Sequence, residues 1–551
     1  MIGKYLKNKN EIIELKYQAH YWRTQHERAV KRESLFKKRV QELEKIARQQ
    51  AAQIKEQGDQ IEALKAKLVL LQEQVFGRKS EKGKGGKGNS DEENQEDAND
   101  APPASDTGRN RGQQPGSNGH GRINHDELPA QIIPHELPED ERFCPICGLP
   151  FYEKDDTEDS EEVHWEVRLI RRIHKRKRYK RTCQCKGLPR TITAPVPPKL
   201  IPKGMFSTGF YVQLILEKYL HQRPLYRICQ ALSIEGMRSP SQGTLTGGLK
   251  RIGALLQPLY TRILERSRSA AHWHMDETRW LVFVEVEGKA GHRWWLWVVV
   301  TQDTCVFILD PSRSSRVPAD HLGEDAEGII SADRYSAYKV LLGEKIKIAY
   351  CWTHVRRDYK RVRNGYKKLH TWGQEWMDRI NKIYWLNGQR LDVRNNPEQF
   401  EQRDQVLRKA LARMAEERDE ELADEGLHPA QRKALKSLRG HWEGLMIFVD
   451  NPDVPMDNNE AERRLRMPVV GRKNYYGSGA VWSGTLSAML FTIFQTVLIN
   501  NINPKLFLQA YFEACAKNGG EAPDNIDEFL PWNLSDKKKA QLIYKKEATD
   551  S

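Results

Sequence analysis

From Ile12 to Val75 apolar residues return every three or four positions without a slip in register. Counted as heptads, the a positions are Ile12, Ala19, His26, Glu33, Val40, Ala47, Ile54, Ile61, Leu68 and Val75. The d positions are Leu15, Trp22, Ala29, Phe36, Leu43, Gln50, Gln57, Leu64 and Leu71. Fifteen of these nineteen are apolar, and a 3.5-residue period predicts a left-handed coiled coil over residues 1–78. His26, Glu33, Gln50 and Gln57 weaken the middle of the seam and fix its register, and Ile61 to Val75 is its densest stretch. A helix this charged offers little to its own chain, so the expected partner is a second copy.

The pattern then stops. Residues 79–118 are Gly, Ser, Pro, Asn and acids (GKGGKGNSDEENQEDANDAPPASDTG), which cannot bury enough apolar surface to order themselves. A disordered linker is expected there, with the coiled coil as a tethered module. Residues 119–195 read as a small β module. Residues 196–265 return to helical spacing: Gly209 to His221, a helix opening at Pro224, a turn at Gly236, and a helix from Ser241 to Leu256. That order is compatible with a helix-turn-helix. From His272 the period shortens to strands. Trp280 to Glu287, His292 to Thr301, Thr304 to Asp310, Gly328 to Ala332 and Ile346 to Cys351 are the expected β runs, with a helix near Val317 to Leu322. Strands rich in Val, Ile and Trp mixed with helices predict an α/β core. Residues 355–450 are charged and helical, with Leu435, Leu438, Trp442, Leu445 and Val449 on one buried face, and a helical tail closes the chain.

Composition narrows the class. Of 551 residues, 38% are hydrophobic and 30% charged, enough apolar material for several cores under a heavily solvated surface. The longest apolar run, Trp294 to Val300, reads as a buried strand, and the N-terminus lacks the apolar stretch of a secretory signal. Eight cysteines are too few for a disulfide scaffold. A cytoplasmic protein with no membrane partner is expected.

Charge changes the picture more. Lys and Arg total 89 against 75 acids, and the excess is local. Eleven bases and one acid lie between His164 and Arg190, including Arg171, Arg172, Lys175, Arg176, Lys177 and Arg178. A stripe of this kind is the footprint of a polyanion binder, nucleic acid foremost. Two cysteine pairs flank it, Cys144-Pro-Ile-Cys147-Gly and Cys183-Gln-Cys185. Four thiolates can hold a structural Zn²⁺ tetrahedrally; the alternative is four reduced thiols in a β module.

Three carboxylates stand out by context: Asp276 in HWHMDETRW at the start of the first strand, Asp333 just past an apolar strand in GIISADRYSAY, and Glu462 in MDNNEAERRLRM on a short helix closed by Pro468. Converging carboxylates suit two hard divalent cations that activate a nucleophile and stabilise a leaving oxygen. Each also has a structural alternative: a turn residue, a helix N-cap, and a capping box with Asn459. Cys351 and His354 share a CxxH spacing, for which packing is the expected role.

Taken in order, FGRKSEK (76–82), CPICG (144–148), EKYLHQRPLYR (217–227), MDET (275–278), PSRS (311–314), ADRYSAY (332–338), CWTHVRR (351–357), DNNEAERRLR (457–466), GRKN (471–474) and LPW (530–532) resemble the IS66-family transposases, the large DDE transposase of those bacterial insertion sequences. The resemblance implies an RNase H-like catalytic core over residues 266–495 with a helical insertion at about 360–455, then a helical C-terminal region over 496–551. It implies Asp276, Asp333 and Glu462 as ligands of a two-Mg²⁺ site. Their separations of 57 and 129 residues leave room for the helical segment. It further implies DNA as substrate, at the terminal inverted repeats and the target, with Arg463, Arg466, Arg472 and Lys473 near the backbone, and accessory proteins of the same element as possible partners. The sequence departs from the family at the CxC pair, where CxxC is general, and in the length of its coiled coil. The competing expectation is a catalytically inactive DNA-binding regulator derived from such an enzyme.

Overall fold

The computed structural model describes residues 2–76, 130–152, 160, 162–164, 167–180, 182, 187, 189–238, 241–289 and 291–543. The expected linker lies outside them. In chain order the elements begin with α1 (Ile2–Phe76), β1 (Arg178–Lys180), β2 (Thr191–Thr193), α2 (Thr208–Ile215), α3 (Leu225–Ile234) and α4 (Gln242–Arg268). Next come β3 (His272–Val282), β4 (Arg293–Val300), β5 (Cys305–Asp310), α5 (Arg316–Leu322), β6 (Gly328–Ala332), α6 (Ser336–Lys339) and β7 (Ile346–Tyr350). Helices α7 (Trp352–Gly365), α8 (His370–Asp392), α9 (Pro397–Ala423), α10 (Pro429–Gly440) and α11 (Trp442–Asp450) follow. The chain ends on α12 (Asn459–Tyr475), β8 (Gly477–Ser478), α13 (Val481–Ile499), α14 (Pro504–Lys517) and α15 (Asp536–Leu542). Two compact units result, one of residues 1–96 with 349–457, the other of 97–348 with 458–551.

In the first unit, helices α7 to α11 pack around Trp352, Tyr359, Trp376, Ile380, Leu407, Leu411, Leu435 and Leu438, all buried. At its centre Arg390 is fully buried. Its guanidinium donates to Asp404 Oδ1 (2.6 Å), Asn387 Oδ1 (2.8 Å) and the carbonyls of Phe448 and Val449 (3.0 and 2.9 Å). The last two are carbonyls that the end of α11 leaves open. Helix α1 is less independent than a tethered module. Ala66 is buried, with its Cβ 3.2 Å from where a Cβ on Gly365 would sit, and Glu62 pairs with His428 Nε2 at 3.0 Å. These contacts use the b and f positions. The seam residues Ile61, Leu64, Leu68 and Leu71 stay 44–67% exposed.

The second unit is built on a sheet ordered β5-β4-β3-β6-β7. Strands β3 and β4 are antiparallel, Asp276 opposite Val298, as are β4 and β5; β3 and β6 are parallel, His274 opposite Ser331. Strand β5 is an edge, and an open edge invites mispairing. Here α13 covers it: Thr492 Oγ1 accepts from Phe307 N (2.8 Å), and Thr496 Oγ1 bonds both Cys305 N and O (3.1 and 3.2 Å). Tyr260 of α4 donates to Phe307 O at 2.8 Å. Helix α13 is long and apolar enough to cross a membrane by length and composition, yet its residues from Leu486 to Val497 are buried in this core.

Several expectations need correction. Strand β3 begins at His272, eight residues before the expected Trp280, so Asp276 lies inside the strand rather than at its start. Helix α12 runs through Pro468 to Tyr475; both of its ends are anchored on β3, and the proline is buried mid-helix. A final strand pairing appears where none was expected, β8 beside Leu281 and Val282. The cysteine module holds only one two-stranded sheet among the described residues, β1 against β2.

Candidate functional site

The outer side of β3 is shared by two short partners. Strand β6 pairs with residues 272–274 and β8 with 281–282, which leaves the backbone between them without a strand. Helix α12 fills this gap. At its N-terminus the buried side chain of Asn458 donates Nδ2 to Met275 O at 2.7 Å. At its other end Arg472 Nη1 donates to Arg279 O (2.7 Å) and Thr278 Oγ1 (3.0 Å). The helix that carries Glu462 is thus pinned along the strand that carries Asp276.

Asp333 reaches the same place from β6. Its strand is in parallel register with β3, and its Oδ1 accepts from Tyr335 N at 2.8 Å in a tight Asx turn. Asp333 and Glu462 both lie close enough for their charges to act on Asp276. Burial, and then the negative charges of Glu277, Asp333 and Glu462, hold the Asp276 carboxyl well above the usual range; the hydrogen bond from Glu277 N opposes this. Carboxylates crowded this way are relieved either by a retained proton or by a cation among them. The donor set is all oxygen, which suits a hard divalent ion.

A polar string ties the three supporting elements. His272 Nε2 meets Ser331 Oγ on β6 at 2.9 Å, the rings of His272 and His274 lie 4.5 Å apart, and His274 Nδ1 meets Asn458 Oδ1 at 3.1 Å. Because Asn458 Nδ2 is spent on Met275 O, its Oδ1 must accept, which puts the His274 proton on Nδ1. Burial lowers the His274 pKa, in keeping with that neutral tautomer. Sequence reasoning missed this string, although HWHMD alternates polar and apolar residues as a strand with one functional face does.

A fourth carboxylate, Glu277, was also missed. It is buried and already engaged, with Oε1 accepting from Arg313 and Oε2 from Tyr338 Oη (2.7 Å). Burial and the charge of Asp333 raise its pKa against the pull of these partners. Its role is structural support beside the cluster.

The expected DNA contacts are spread more widely. Arg463 is exposed and pairs with Glu460 at 3.1 Å; Arg466 and Lys473 are exposed, and Arg472 is turned inward onto β3. Arg171, Arg172, Lys175, Arg176 and Lys177 lie exposed on an extended segment and Arg178 on β1, with Arg176 Nε donating to Ala194 O at 2.6 Å. Cys144 and Cys147 form a tight knuckle: Cys144 N donates to Leu149 O and Gly148 N to Cys144 O, both at 2.8 Å, with Gly148 at φ +73°. The backbone amides of Cys147 and Ile146 point at the Cys144 sulfur and lower its pKa. Cys183 and Cys185 lie outside the described residues.

Comparison with known proteins gives a consistent picture. The chain is 26% identical to the uncharacterized protein y4jD of Sinorhizobium fredii over 433 residues, 73% of this chain and 81% of that one. It is 24% identical to y4hP of the same organism over 428 residues, 71% and 73% of the two chains. No solved structure matches. The sequence model described as Transposase IS66 family matches residues 203–485. That stretch is half of the chain and includes β3 with Asp276, the Asp333 turn and the Glu462 helix. The chain belongs to the IS66 transposase family.

Proposed function

We propose that this protein is a DDE transposase. It binds the terminal inverted repeats of its own insertion sequence and cleaves and joins DNA strands by phosphoryl transfer. The carrying observation is that the helix bearing Glu462 is anchored along β3, which bears Asp276, so that the charges of Glu277, Asp333 and Glu462 all act on the Asp276 carboxyl. Retention of all three carboxylates in intact motifs favours the enzyme over a DNA-binding regulator, which needs none of them. The strand order, with a central strand flanked by antiparallel and parallel partners, supports an RNase H-like reading of the core.

In this reading Asp276, Asp333 and Glu462 are the oxygen ligands for two Mg²⁺. Such ions, when bound, supply activation of the attacking oxygen and stabilisation of the leaving one. Asn458 and Arg472 keep the Glu462 helix along β3, and the Asx turn at Asp333 fixes the second carboxylate. Arg463, Arg466 and Lys473 offer charge to the DNA backbone, as do the bases from Arg171 to Arg178. The cysteine module takes a structural Zn²⁺ through Cys144, Cys147, Cys183 and Cys185. The exposed seam of α1 joins two copies, so that two ends are held together. The protein works in the bacterial cytoplasm on the nucleoid, with accessory proteins of the element as further partners.

The test is Asp276→Asn and Asp333→Asn, assayed on duplexes made from the DNA flanking the gene. Each variant should lose end cleavage and keep end binding. Cleavage near the wild-type rate in either would refute the assignment.

A further inference from the structure

Arg313 follows β5 in the loop 310–314, at the carboxyl ends of the parallel strands β3, β5 and β6. This loop is rigidly held. Ser312 N donates to Asp310 Oδ1 (2.7 Å), Ser314 N to Ser312 Oγ (3.0 Å), Trp297 Nε1 to Ser312 O (3.3 Å) and Tyr335 Oη to Arg313 O (2.8 Å). The guanidinium itself is stacked between two rings, 4.0 Å from the centre of Tyr335 and 4.7 Å from that of Trp295. Its Nε and Nη2 both reach Glu277 Oε1, at 2.7 and 2.5 Å.

This uses one edge of the fork. A guanidinium carries five N–H donors, and the side chain remains 37% exposed while Glu277 is 1% exposed. An arginine present only to neutralise a buried glutamate needs no such opening. Here loop and side chain are both held in advance, and the guanidinium lies near enough to Asp333 to feel its charge. A planar fork fixed in this way matches a phosphate.

We propose that Arg313, sandwiched by Trp295 and Tyr335 and braced by Glu277, is a DNA-backbone contact that receives a phosphate beside the carboxylate cluster. This rests on the phosphoryl-transfer reading above and adds to it a substrate contact with Glu277 as its positioning residue. Because the fork is ordered before DNA arrives, little conformational entropy is lost on binding.

The experiment uses the full chain and a duplex made from the DNA flanking the gene, with Ca²⁺ in place of Mg²⁺ so that binding is read alone. The double variant Arg313→Ala with Glu277→Gln removes the guanidinium without stranding a buried carboxylate. It should bind about tenfold more weakly, with a slope of log affinity against log salt shallower by about one. Arg313→Lys, which keeps the ion pair but not the fork, covers the case in which the double variant does not fold, and should also bind about tenfold more weakly. Wild-type affinity and salt slope in either folded variant would overturn the contact. A second arm in Mg²⁺ separates the two readings. Wild-type protein that binds with the expected Arg313 dependence but cuts nothing would sink the transferase reading and leave the contact. Cutting by the wild type with unchanged binding in the variants would do the reverse.

Discussion

Asn458 donates a hydrogen bond from Nδ2 to the carbonyl oxygen of Met275, 2.7 Å away and 183 residues earlier in the chain. The bond joins the cap of one helix to the middle of one strand. Asp276 follows Met275 directly, and Glu462 is one helical turn past Asn458. A neutral amide thus ties the helix that carries Glu462 to the strand that carries Asp276.

Asn458→Ala should therefore loosen the cluster without touching a carboxylate. The buried carbonyl of Met275 would lose its donor, at a cost of about 1–3 kcal/mol. The expected result is slower end cleavage with a raised half-saturating Mg²⁺ concentration, read by metal titration of the rate. An unchanged metal titration would show that the amide only stabilises the fold.

The seam of α1 is open to solvent at Leu64 and Leu68 while Ala66 between them is buried. Leu64→Lys with Leu68→Lys should yield monomers in sedimentation, since charges in an a/d seam oppose association. Gly365→Val should press on Ala66 and raise the protease sensitivity of α1 while leaving the oligomer intact.

The knuckle at Cys144 and Cys147 predicts about one Zn²⁺ per chain by elemental analysis. Chelation should cost DNA affinity, because a structural metal supplies much of a small module's folding energy. DNA-competent protein that contains no zinc would refute this.

Arg390 predicts the stability of the helical unit. Arg390→Met leaves Asp404 buried beside lost donors, and about 3–5 kcal/mol should go with it, measured by denaturant unfolding. Burial alone would raise the Asp404 pKa, but its bonds to Arg408 and Arg390 outweigh that and hold it below the ordinary value. A depressed folded pKa stabilises above the unfolded value of about 3.9 and is lost as pH falls through the folded one. The unit should lose stability in acid below about pH 4, and Asp404→Asn should flatten that dependence.

Much of this was legible in the sequence. The Gly328–Ala332 strand is where its apolar run ends it, and β4, β5 and α5 fall within a residue or so of their expected bounds, because each pattern is local. The first eight residues of β3, His272 to Arg279, were not seen. His272, His274 and Asp276 make one face polar, and a strand judged by its apolar content loses such residues just where they work. Pro468 was taken as a stop because proline costs a helix hydrogen bond. The anchors at Asn458 and Arg472 lie far off in sequence on β3, and no window along the chain contains both. Arg313 was hidden for the same reason: its partners Glu277, Trp295 and Tyr335 come from three separate segments.

Both anchors of the Glu462 helix lie after the helical segment of residues 352–450, at Asn458 and Arg472. The chain can therefore leave the sheet after β7, build a domain of any size, and still return its last acid to the same notch in β3. What fixes the place of Glu462 is the docking of one helix into a broken strand edge, so the intervening segment is free to change in length without moving that carboxylate.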